Sequence, residues 1–466
     1  MADVVLAIDQ GTTATKVSAV DRHAHVLVSA ERSHPVRTTP AGEATHDPGE
    51  VVDAALDALR EVAAAGHHVH ALALTGAMHT LLGVDGAGRP VTPSLSWADN
   101  RAKDQAQALR DTDLGRRLHR ETGTPVHPFA PLAKLAWAGA NKITADRWYG
   151  LKDHLFRALT GEVATEHSSA SGTGLLESAT LDWHPDALDF AGIDPEKLPD
   201  LRSPLDSAPL TRHVPGVPRD VPVVLGGGDG PLANLGVGAT TPGVAAVSLG
   251  TSGALRVARD APIVDERGRT FCYYVAEGLW VVGGAVSNGG IVTQWAADTF
   301  GLPAADLLAE AALVPPGARG ITALPYLLGE RAPWWTSDAR SALVGIRHDH
   351  GRAEITRALV EGVAQQLALV LDAVRSTADV RTARVTGGAF RSPLWTEVLA
   401  SALDLDLEVA TGDSAVGAAL LAWRALEDRP PTPAHRPGRI FRPDKDIAEL
   451  YRRGRQDVER LYLALR

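Results

Sequence analysis

A short polar turn separates two strand-like segments near the start of the chain. The apolar run of residues 4–8 ends at Asp9, and a strand pattern resumes at Lys16 after a glycine and two threonines. The apolar run predicts a buried strand, so the turn closes a β-hairpin. Its backbone N–H groups and hydroxyls suit an anion, and its carboxylate suits a cation. Taken alone, the turn predicts a phosphate site or a plain structural turn with equal weight.

A second turn of the same kind lies in the other half of the chain. Residues 243–260 contain an apolar strand, a turn at Gly250 and Thr251, and an outgoing strand. Gly11 and Gly250 are separated by about half of the 466 residues, which indicates an internally duplicated chain. If the two turns face each other across a cleft, they can hold adjacent phosphates of one nucleotide from both sides.

A carboxylate within a run of glycines is the main candidate for proton transfer. Residues 222–225 have the pattern of a buried strand that runs into three glycines, Asp229 and Gly230. We expect Asp229 to act as a general base, with the glycines leaving room for a substrate to reach its carboxylate. The alternative is an aspartate that only caps the following helix.

Glycines at a strand-to-helix junction predict the other end of a nucleotide site. Residues 383–386 have a strand pattern, Gly387 and Gly388 follow, and a helical pattern begins near Pro393. A ligand can approach the bare backbone there, at the positive end of a helix. A plain glycine turn is the alternative. The chain contains neither Gly-x-x-x-x-Gly-Lys-Ser/Thr nor Gly-x-Gly-x-x-Gly, so the two most common phosphate-binding motifs are excluded.

Composition places the chain among ordinary globular proteins. Hydrophobic residues make up 45% and charged residues 22%, and 466 residues suffice for two domains. The net charge of −10 argues against nonspecific nucleic-acid binding. The single cysteine, Cys272, excludes an intrachain disulfide and a cysteine-based zinc site. Because we find no basic leader and no apolar run long enough to span a membrane, we expect a cytoplasmic protein without a membrane partner.

Strand and helix patterns alternate along the chain, which predicts an α/β fold. Helical periodicity is clearest in three segments, residues 49–66, 352–378 and 448–465. We place the domain boundary near Thr240, which gives domains 1–240 and 241–466. The proline-rich residues 429–437 predict a rigid connector.

Five separated motifs occur in the same order as in a known family. They are DQGTT at 9–13, GGGDG at 226–230, GTSGAL at 250–255, YLLGERAPWW at 326–335 and GGAFRSPLW at 387–395. With these motifs the whole chain resembles the FGGY carbohydrate kinases, and its MHTLL, SWADNRA and GDGPLANLGVGA segments are most similar to the gluconokinase branch. The resemblance implies two ribonuclease-H-like domains of the sugar kinase, Hsp70 and actin ATPase fold, with a cleft between them.

The resemblance also implies phosphoryl transfer from ATP to a sugar hydroxyl, with Asp229 as the catalytic base. Asp9 and Asp229 are the expected partners of Mg²⁺. The expected ATP-binding residues are Thr12, Thr13, Lys16, Thr251, Gly290, Gly388 and Ser392. The expected substrate-binding residues are Met78, His79, Trp97, Asp99, Arg101 and Asp229.

Within this set, Arg101 is the expected partner of a substrate carboxylate, because an acidic ligand entering an acidic protein needs a fixed cation. Lys134 is a second candidate cation, with a solvated helix charge as the alternative. Trp334 and Trp335, with Glu330 and Arg331, either shape a loop near the cleft or only pack.

The favoured reaction is D-gluconate to 6-phospho-D-gluconate, with xylulose or another FGGY sugar or polyol as the alternative acceptor. An actin-fold ATPase without a small-molecule acceptor is the hypothesis from a different class. His79, Trp97 and Arg101 favour a kinase, since a pure ATPase needs no sugar pocket. The expected partner is thus a small sugar acid, and the oligomeric state stays open, with a homodimer as one candidate.

Overall fold

The computed structural model describes residues 1–427 and 438–465, which form two lobes with one large mixed sheet each. The connector predicted at residues 429–437 lies outside the described residues. No helix within the described ranges is both long enough and apolar enough to cross a lipid bilayer.

The first lobe contains the elements that precede residue 240. Its strands are β1 (Asp3–Gln10), β2 (Ala14–Val20), β3 (Val26–Ser33), β4 (Arg37–Thr38), β5 (Ala44–His46), β6 (His68–Gly76), β7 (Leu82–Val84), β8 (Ser94–Leu95), β9 (Arg147–Tyr149), β10 (Ala164–Glu166), β11 (Leu176–Glu177), β12 (Asp182–Trp183), β13 (Asp200–Arg202), β14 (Ser207–Pro209) and β15 (Pro222–Gly228). Its helices are α1 (Pro48–Ala63), α2 (Lys103–Arg110), α3 (Asp113–Thr122), α4 (Pro131–Ala140), α5 (Leu151–Thr160), α6 (His167–Ser171), α7 (Pro185–Ala191) and α8 (Asp229–Gly236), with a 3₁₀ turn at Pro195–Lys197.

The second lobe is built from the elements that follow. Its strands are β16 (Gly243–Leu249), β17 (Gly253–Arg259), β18 (Phe271–Ala276), β19 (Leu279–Val286), β20 (Thr322–Leu324), β21 (Ala342–Val344), β22 (Val380–Thr386), β23 (Asp406–Val409) and β24 (Ile440–Phe441). Its helices are α9 (Ile291–Phe300), α10 (Ala304–Ala312), α11 (Arg352–Arg375), α12 (Pro393–Leu403), α13 (Ser414–Leu426) and α14 (Lys445–Leu465), with 3₁₀ turns at Ala318–Gly320 and Gly388–Arg391. The three helices predicted from periodicity correspond to α1, α11 and α14.

The two large sheets share one strand arrangement. The first has the order β14-β15-β6-β1-β2-β3, and the second has the order β18-β19-β17-β16-β22-β23-β24. In each, a hairpin (β1–β2 or β16–β17) is antiparallel, and its first strand runs parallel to a later strand, β6 or β22. This repeated order confirms the duplication predicted from the two turns.

The apolar alternation of β1 determines which helices cover the first sheet. Val4, Leu6 and Ile8 pack in one cluster with the buried face of α1. Val5 and Ala7, which point the other way because strand side chains alternate, pack in the cluster that contains the buried residues of α13. Helix α13 therefore lies against the first sheet, although its sequence follows the second.

Helices α8 and α13 cross at glycines, which allows their backbones to touch. A Cβ atom added at Gly417 of α13 would lie 2.0 Å from the carbonyl oxygen of Leu232 in α8. One added at Gly412 would lie 1.9 Å from the carbonyl oxygen of Gly236. These contacts leave no space for a side chain, so the crossing requires glycine at both positions.

We expect Gly417→Ala to destabilise the protein by about 3 kcal/mol or more, because the new methyl group must push α8 and α13 apart. Denaturant unfolding followed by circular dichroism measures this effect. Gly139→Ala in α4 is the matched control, because no atom lies within 4 Å of a Cβ placed there. A midpoint for Gly417→Ala equal to that of the control would contradict the close crossing.

Candidate active site

Asp229 lies where strand β15 ends and helix α8 begins. Its Oδ1 accepts hydrogen bonds from the N–H of Gly230 at 2.8 Å and from the N–H of Met78 at 3.4 Å. Burial raises the pKa of the Asp229 carboxyl, and the nearby Arg256 guanidinium opposes the rise. The Asp229 carboxylate is thus held in one orientation and has a raised pKa, two properties that suit a general base.

The glycines before Asp229 serve packing rather than substrate access. A Cβ at Gly226, whose φ is +69°, would lie 1.7 Å from the carbonyl oxygen of Leu74 in β6. One at Gly228 would lie 2.7 Å from Cγ of Met78. The prediction that glycines leave room for substrate is therefore wrong for Gly226 and Gly228, because β6 and Met78 already fill that space, whereas Gly230 lines a cavity beside Asp229.

A cavity of about 270 Å³ contains Asp229 and is lined by both lobes. From the first lobe come Thr12, Met78, His79, Trp97, Phe129, Asp229 and Gly230. From the second come Ser248, Ser252, Gly253, Ala254, Arg256, Phe271, Tyr273, Ala285, Arg331 and Trp335. Aromatic rings form much of the wall, and such rings suit the C–H faces of a polyhydroxylated ligand.

The first turn reaches this cavity through Thr12. The Thr12 hydroxyl accepts a hydrogen bond from Nε1 of Trp97 at 2.9 Å, and its carbonyl oxygen lies 2.7 Å from Nε2 of His46. Thr13 is exposed beside it. Lys16 forms an ion pair across the lobes, with its Nζ 2.8 Å from Oδ2 of Asp413.

The second turn contacts the other glycines predicted for nucleotide binding. The N–H of Gly290 donates to the carbonyl of Gly250 at 2.7 Å, and the N–H of Gly289 donates to the carbonyl of Thr251 at 3.0 Å. A Cβ at Gly387 would lie 2.2 Å from the carbonyl oxygen of Leu249, so this backbone also abuts the end of β16. The fold thus brings together the segments of Thr251, Gly290 and Gly388.

Ser392 lies one 3₁₀ turn beyond Gly388, at the N-cap of α12. Its side chain makes no capping hydrogen bond to that helix. The backbone there holds the geometry of a helix start, which suits an anion or a polar ring.

Asp9 ends β1 beside the start of α13. Its Oδ2 accepts a hydrogen bond from the Ser414 hydroxyl at 2.6 Å. Burial raises the pKa of Asp9 to about 7, and the charges of Asp229 and Asp413 act in the same direction. A single crowded carboxylate such as Asp9 could bind Mg²⁺ together with phosphate oxygens and water, since Mg²⁺ prefers one or two carboxylates. Within residues 1–427 and 438–465, no cluster of three or more His, Cys, Asp or Glu forms a complete protein metal site.

His79 lies in the cavity as a neutral hydrogen-bonding group. Its Nδ1 is 2.7 Å from the carbonyl oxygen of Gly172, so Nδ1 carries the proton and Nε2 is an acceptor. Burial lowers the pKa of His79 to about 3. The buried Lys134 supports this region by donating to the carbonyls of His79 at 2.6 Å and Ser96 at 2.7 Å, so it is not a solvated charge.

Asp99 and Arg101 pair with each other instead of lining the cavity. Nη2 of Arg101 lies 2.7 Å from Oδ2 of the fully buried Asp99, whose carboxylate also accepts the N–H of Ala44. The Arg101 guanidinium lies over the ring of Trp137, with 4.6 Å between its Cζ and the ring centroid. The pair braces the segment that carries Trp97, and neither residue is among those that surround Asp229.

Two arginines that were not predicted to bind substrate line the cavity around Asp229 instead; Arg331 was predicted only as part of a loop near the cleft, and Arg256 was not predicted at all. Arg256 on β17 and Arg331 in the loop after β20 line the cavity, and both act electrostatically on Asp229. The available signal for Arg256 was a charged residue in the middle of the largely apolar strand β17. Trp335 lines the cavity, whereas Trp334 stacks on Tyr462 with ring centroids 4.0 Å apart.

Comparisons with known proteins identify the family. The model described as "FGGY family of carbohydrate kinases, N-terminal domain" matches residues 4–236, and the corresponding C-terminal domain model matches residues 245–426. The chain is 34% identical to a gluconokinase of Bacillus subtilis (strain 168), covering 91% of this chain and 88% of that protein. It is 29% identical to a xylulose kinase of Klebsiella pneumoniae, covering 99% of each.

Among solved structures, the gluconate kinase of Lactobacillus acidophilus superposes with a TM-score of 0.91 at 30% identity, covering 100% of this chain and 98% of that one. The chain therefore belongs to the FGGY family of carbohydrate kinases. The predicted fold class is confirmed, since the two mixed α/β lobes match the sugar kinase form of the actin and Hsp70 ATPase fold.

We expect Asp9→Asn to raise the thermal midpoint of the ligand-free protein at pH 8 by roughly 2–5 °C. The folded pKa of Asp9 is raised to about 7, so its ionisation destabilises the fold progressively as pH rises from about 4 toward 7. Asparagine avoids that charge and can still accept the Ser414 hydrogen bond. At pH 5 the carboxyl is protonated in the folded protein but ionised in the unfolded chain, so the difference should fall to less than half of its value at pH 8. An equal difference at both pH values would contradict the buried, charge-crowded position of Asp9.

Proposed function

Given this family, we propose that the protein transfers the γ-phosphoryl group of ATP to a sugar acid, converting D-gluconate to 6-phospho-D-gluconate. The observation that carries the proposal is the charge of the cavity, where one carboxylate, Asp229, is faced by the guanidiniums of Arg256 and Arg331. Two half-buried guanidiniums that face one carboxylate leave a positive charge, which a carboxylate substrate can neutralise and a neutral sugar cannot. The gluconokinase relative supports the same choice.

In this proposal Asp229 accepts the proton of the sugar hydroxyl as that oxygen attacks the γ-phosphorus. The new bond joins the sugar oxygen to phosphorus, and the bond from the γ-phosphorus to the bridging oxygen breaks, releasing ADP. The N–H groups of Met78 and Gly230 hold the carboxylate in one orientation. A carboxyl whose pKa is raised by burial is a stronger base than one in water.

We assign the triphosphate to the space between the two turns. Thr12 and Thr13 would donate from the first lobe and Thr251 from the second. Gly290, Gly388 and Ser392 would line the rest of the nucleotide. Lys16 would contribute a charge near the phosphates once its ion pair with Asp413 opens.

Asp9, with Asp229 nearby, would hold Mg²⁺. The bound ion would neutralise phosphate charge. The like-charge repulsion that raises the pKa of Asp9 would then be relieved, since a cation favours the ionised carboxylate.

On the sugar side, Met78, His79 and Trp97 would contact the acceptor. The neutral Nε2 of His79 would accept a hydroxyl hydrogen bond, and the Trp97 ring would cover a C–H face. Asp99 and Arg101 would act indirectly by bracing the segment of Trp97. The role of carboxylate partner moves from Arg101 to the arginines of the second lobe.

The alternatives are a xylulose or polyol kinase and an actin-fold ATPase without an acceptor. Similarity to the xylulose kinase of Klebsiella pneumoniae keeps the first alternative open. We further propose a cytoplasmic enzyme whose partner is a small sugar acid, with no nucleic-acid or membrane partner.

We expect Asp229→Asn to fold normally and to lose on the order of 10²–10⁴ in kcat, the contribution of a positioned base. Steady-state ADP release with gluconate measures the loss, and ATP binding should change little. A loss below about tenfold would remove Asp229 from the role of base.

A panel of acceptors separates the three functions. We expect ADP release to require a sugar acid and to be at least about 100-fold faster, in kcat/KM, with gluconate than with xylulose or glycerol, a discrimination that buried charge recognition can supply. Faster turnover of xylulose would favour the xylulose kinase. ATP turnover that is the same with and without every acceptor would favour the ATPase.

A further inference from the structure

The two arginines in the cavity differ in the contacts that their guanidinium groups already make with other protein groups. Nη2 of Arg331 donates to the carbonyl of Val286 at 2.9 Å, and its guanidinium lies over the Trp97 ring at 4.8 Å. The neighbouring Glu330 carboxylate further offsets its charge. Arg331 leaves only part of its hydrogen-bonding capacity for a ligand, with Nε buried and unpartnered.

Arg256 is held differently. Its Nη1 is buried and has no hydrogen-bond partner among the described residues. The acid that offsets its charge is Asp229, which does not approach within ion-pair distance, and burial lowers the pKa of the guanidinium. Arg256 is half-buried, its Nη1 lacks a partner, and the planar guanidinium can bind a carboxylate through two parallel hydrogen bonds.

Arg256 belongs to the hairpin of the second turn and also lies near the start of α8. It lies on β17, paired with Ala246 of β16, so it belongs to the hairpin whose turn contains Thr251. A Cβ at Gly230 would lie 3.4 Å from Nε of Arg256, so the second-lobe strand closely approaches the residue after Asp229. An anion bound to Arg256 would therefore contact the second lobe while its hydroxyl is presented to Asp229 of the first.

We infer that Arg256 is the residue that selects an acid acceptor, by binding the carboxylate of the sugar acid from the second lobe. This inference rests on the proposed function and specifies which arginine binds the carboxylate of the substrate. A sugar acid then bridges the lobes through its two ends. A neutral sugar has no carboxylate to bind Arg256, so it does not make this contact with the β16–β17 hairpin.

The test compares Arg256→Met with Arg259→Met in the full-length enzyme. Arg259 is a matched control because it lies on the same strand and also has a buried, unpartnered nitrogen, but it lines a different depression beside Gly243. We expect Arg256→Met to lower kcat/KM for gluconate by about 10²–10³, mostly through KM, as for loss of a charged hydrogen-bonded pair. The KM for ATP should change less than about threefold, and Arg259→Met should stay near wild type.

Chemical rescue separates recognition from a structural role. Millimolar methylguanidinium should restore gluconate turnover in Arg256→Ala by at least about fivefold, because the added cation can replace the missing fork. Arg256→Lys should recover part of the loss, since it keeps the charge without the fork. A merely structural arginine would give no rescue and a raised KM for both substrates.

The outcomes distinguish the two proposals. If the wild-type enzyme phosphorylates no sugar acid, the proposed function fails. If wild type uses gluconate but Arg256→Met keeps its kcat/KM within about threefold, or rescue is absent, the assignment to Arg256 fails and the proposed function stands.

Discussion

The contact on which the site depends is the crossing of α8 and α13 at glycine. Gly417 and Gly412 bring the two backbones to a separation that no other residue permits. The glycine contacts join the C-terminal end of α8, at Gly236, to the N-terminal end of α13, whose first residue, Ser414, donates a hydrogen bond to Asp9 near the end of β1. Asp229, the base in the proposed reaction, begins the same helix α8, so this packing contact links its position to that of Asp9.

The carboxylates near this crossing give the site its electrostatic character. Asp9, Asp229 and Asp413 are close enough to raise the pKa of Asp9, and burial contributes the largest part. Cations approach this acidic centre from the second lobe through Arg256 and Arg331, and from the first through Lys16. Opposite charges in a cavity that both lobes line make closure and ligand binding parts of one equilibrium, since a ligand that neutralises these groups favours the closed form.

Local sequence patterns were sufficient to predict the two turns, the duplication and the aspartate at the start of α8. Each rests on neighbouring residues and on strand or helix periodicity. Patterns could not place Arg256 in the same cavity as Asp229, because the two residues come from different lobes. They also could not show that Arg101 is held by Asp99, or that Gly226 is required by Leu74 of an adjacent strand. Long-range packing decides such contacts, and a single sequence does not display it.

A crystal structure with a non-hydrolysable ATP analogue, Mg²⁺ and gluconate tests the central claim most directly. We expect the phosphates to lie between the turns of Thr12 and Thr251. A carboxylate oxygen of Asp229 should lie within hydrogen-bond distance, about 2.6–3.2 Å, of the acceptor hydroxyl. That hydroxyl should lie in line with the γ-phosphorus. Phosphates bound away from either turn, or an acceptor hydroxyl remote from Asp229 in the closed complex, would contradict the account.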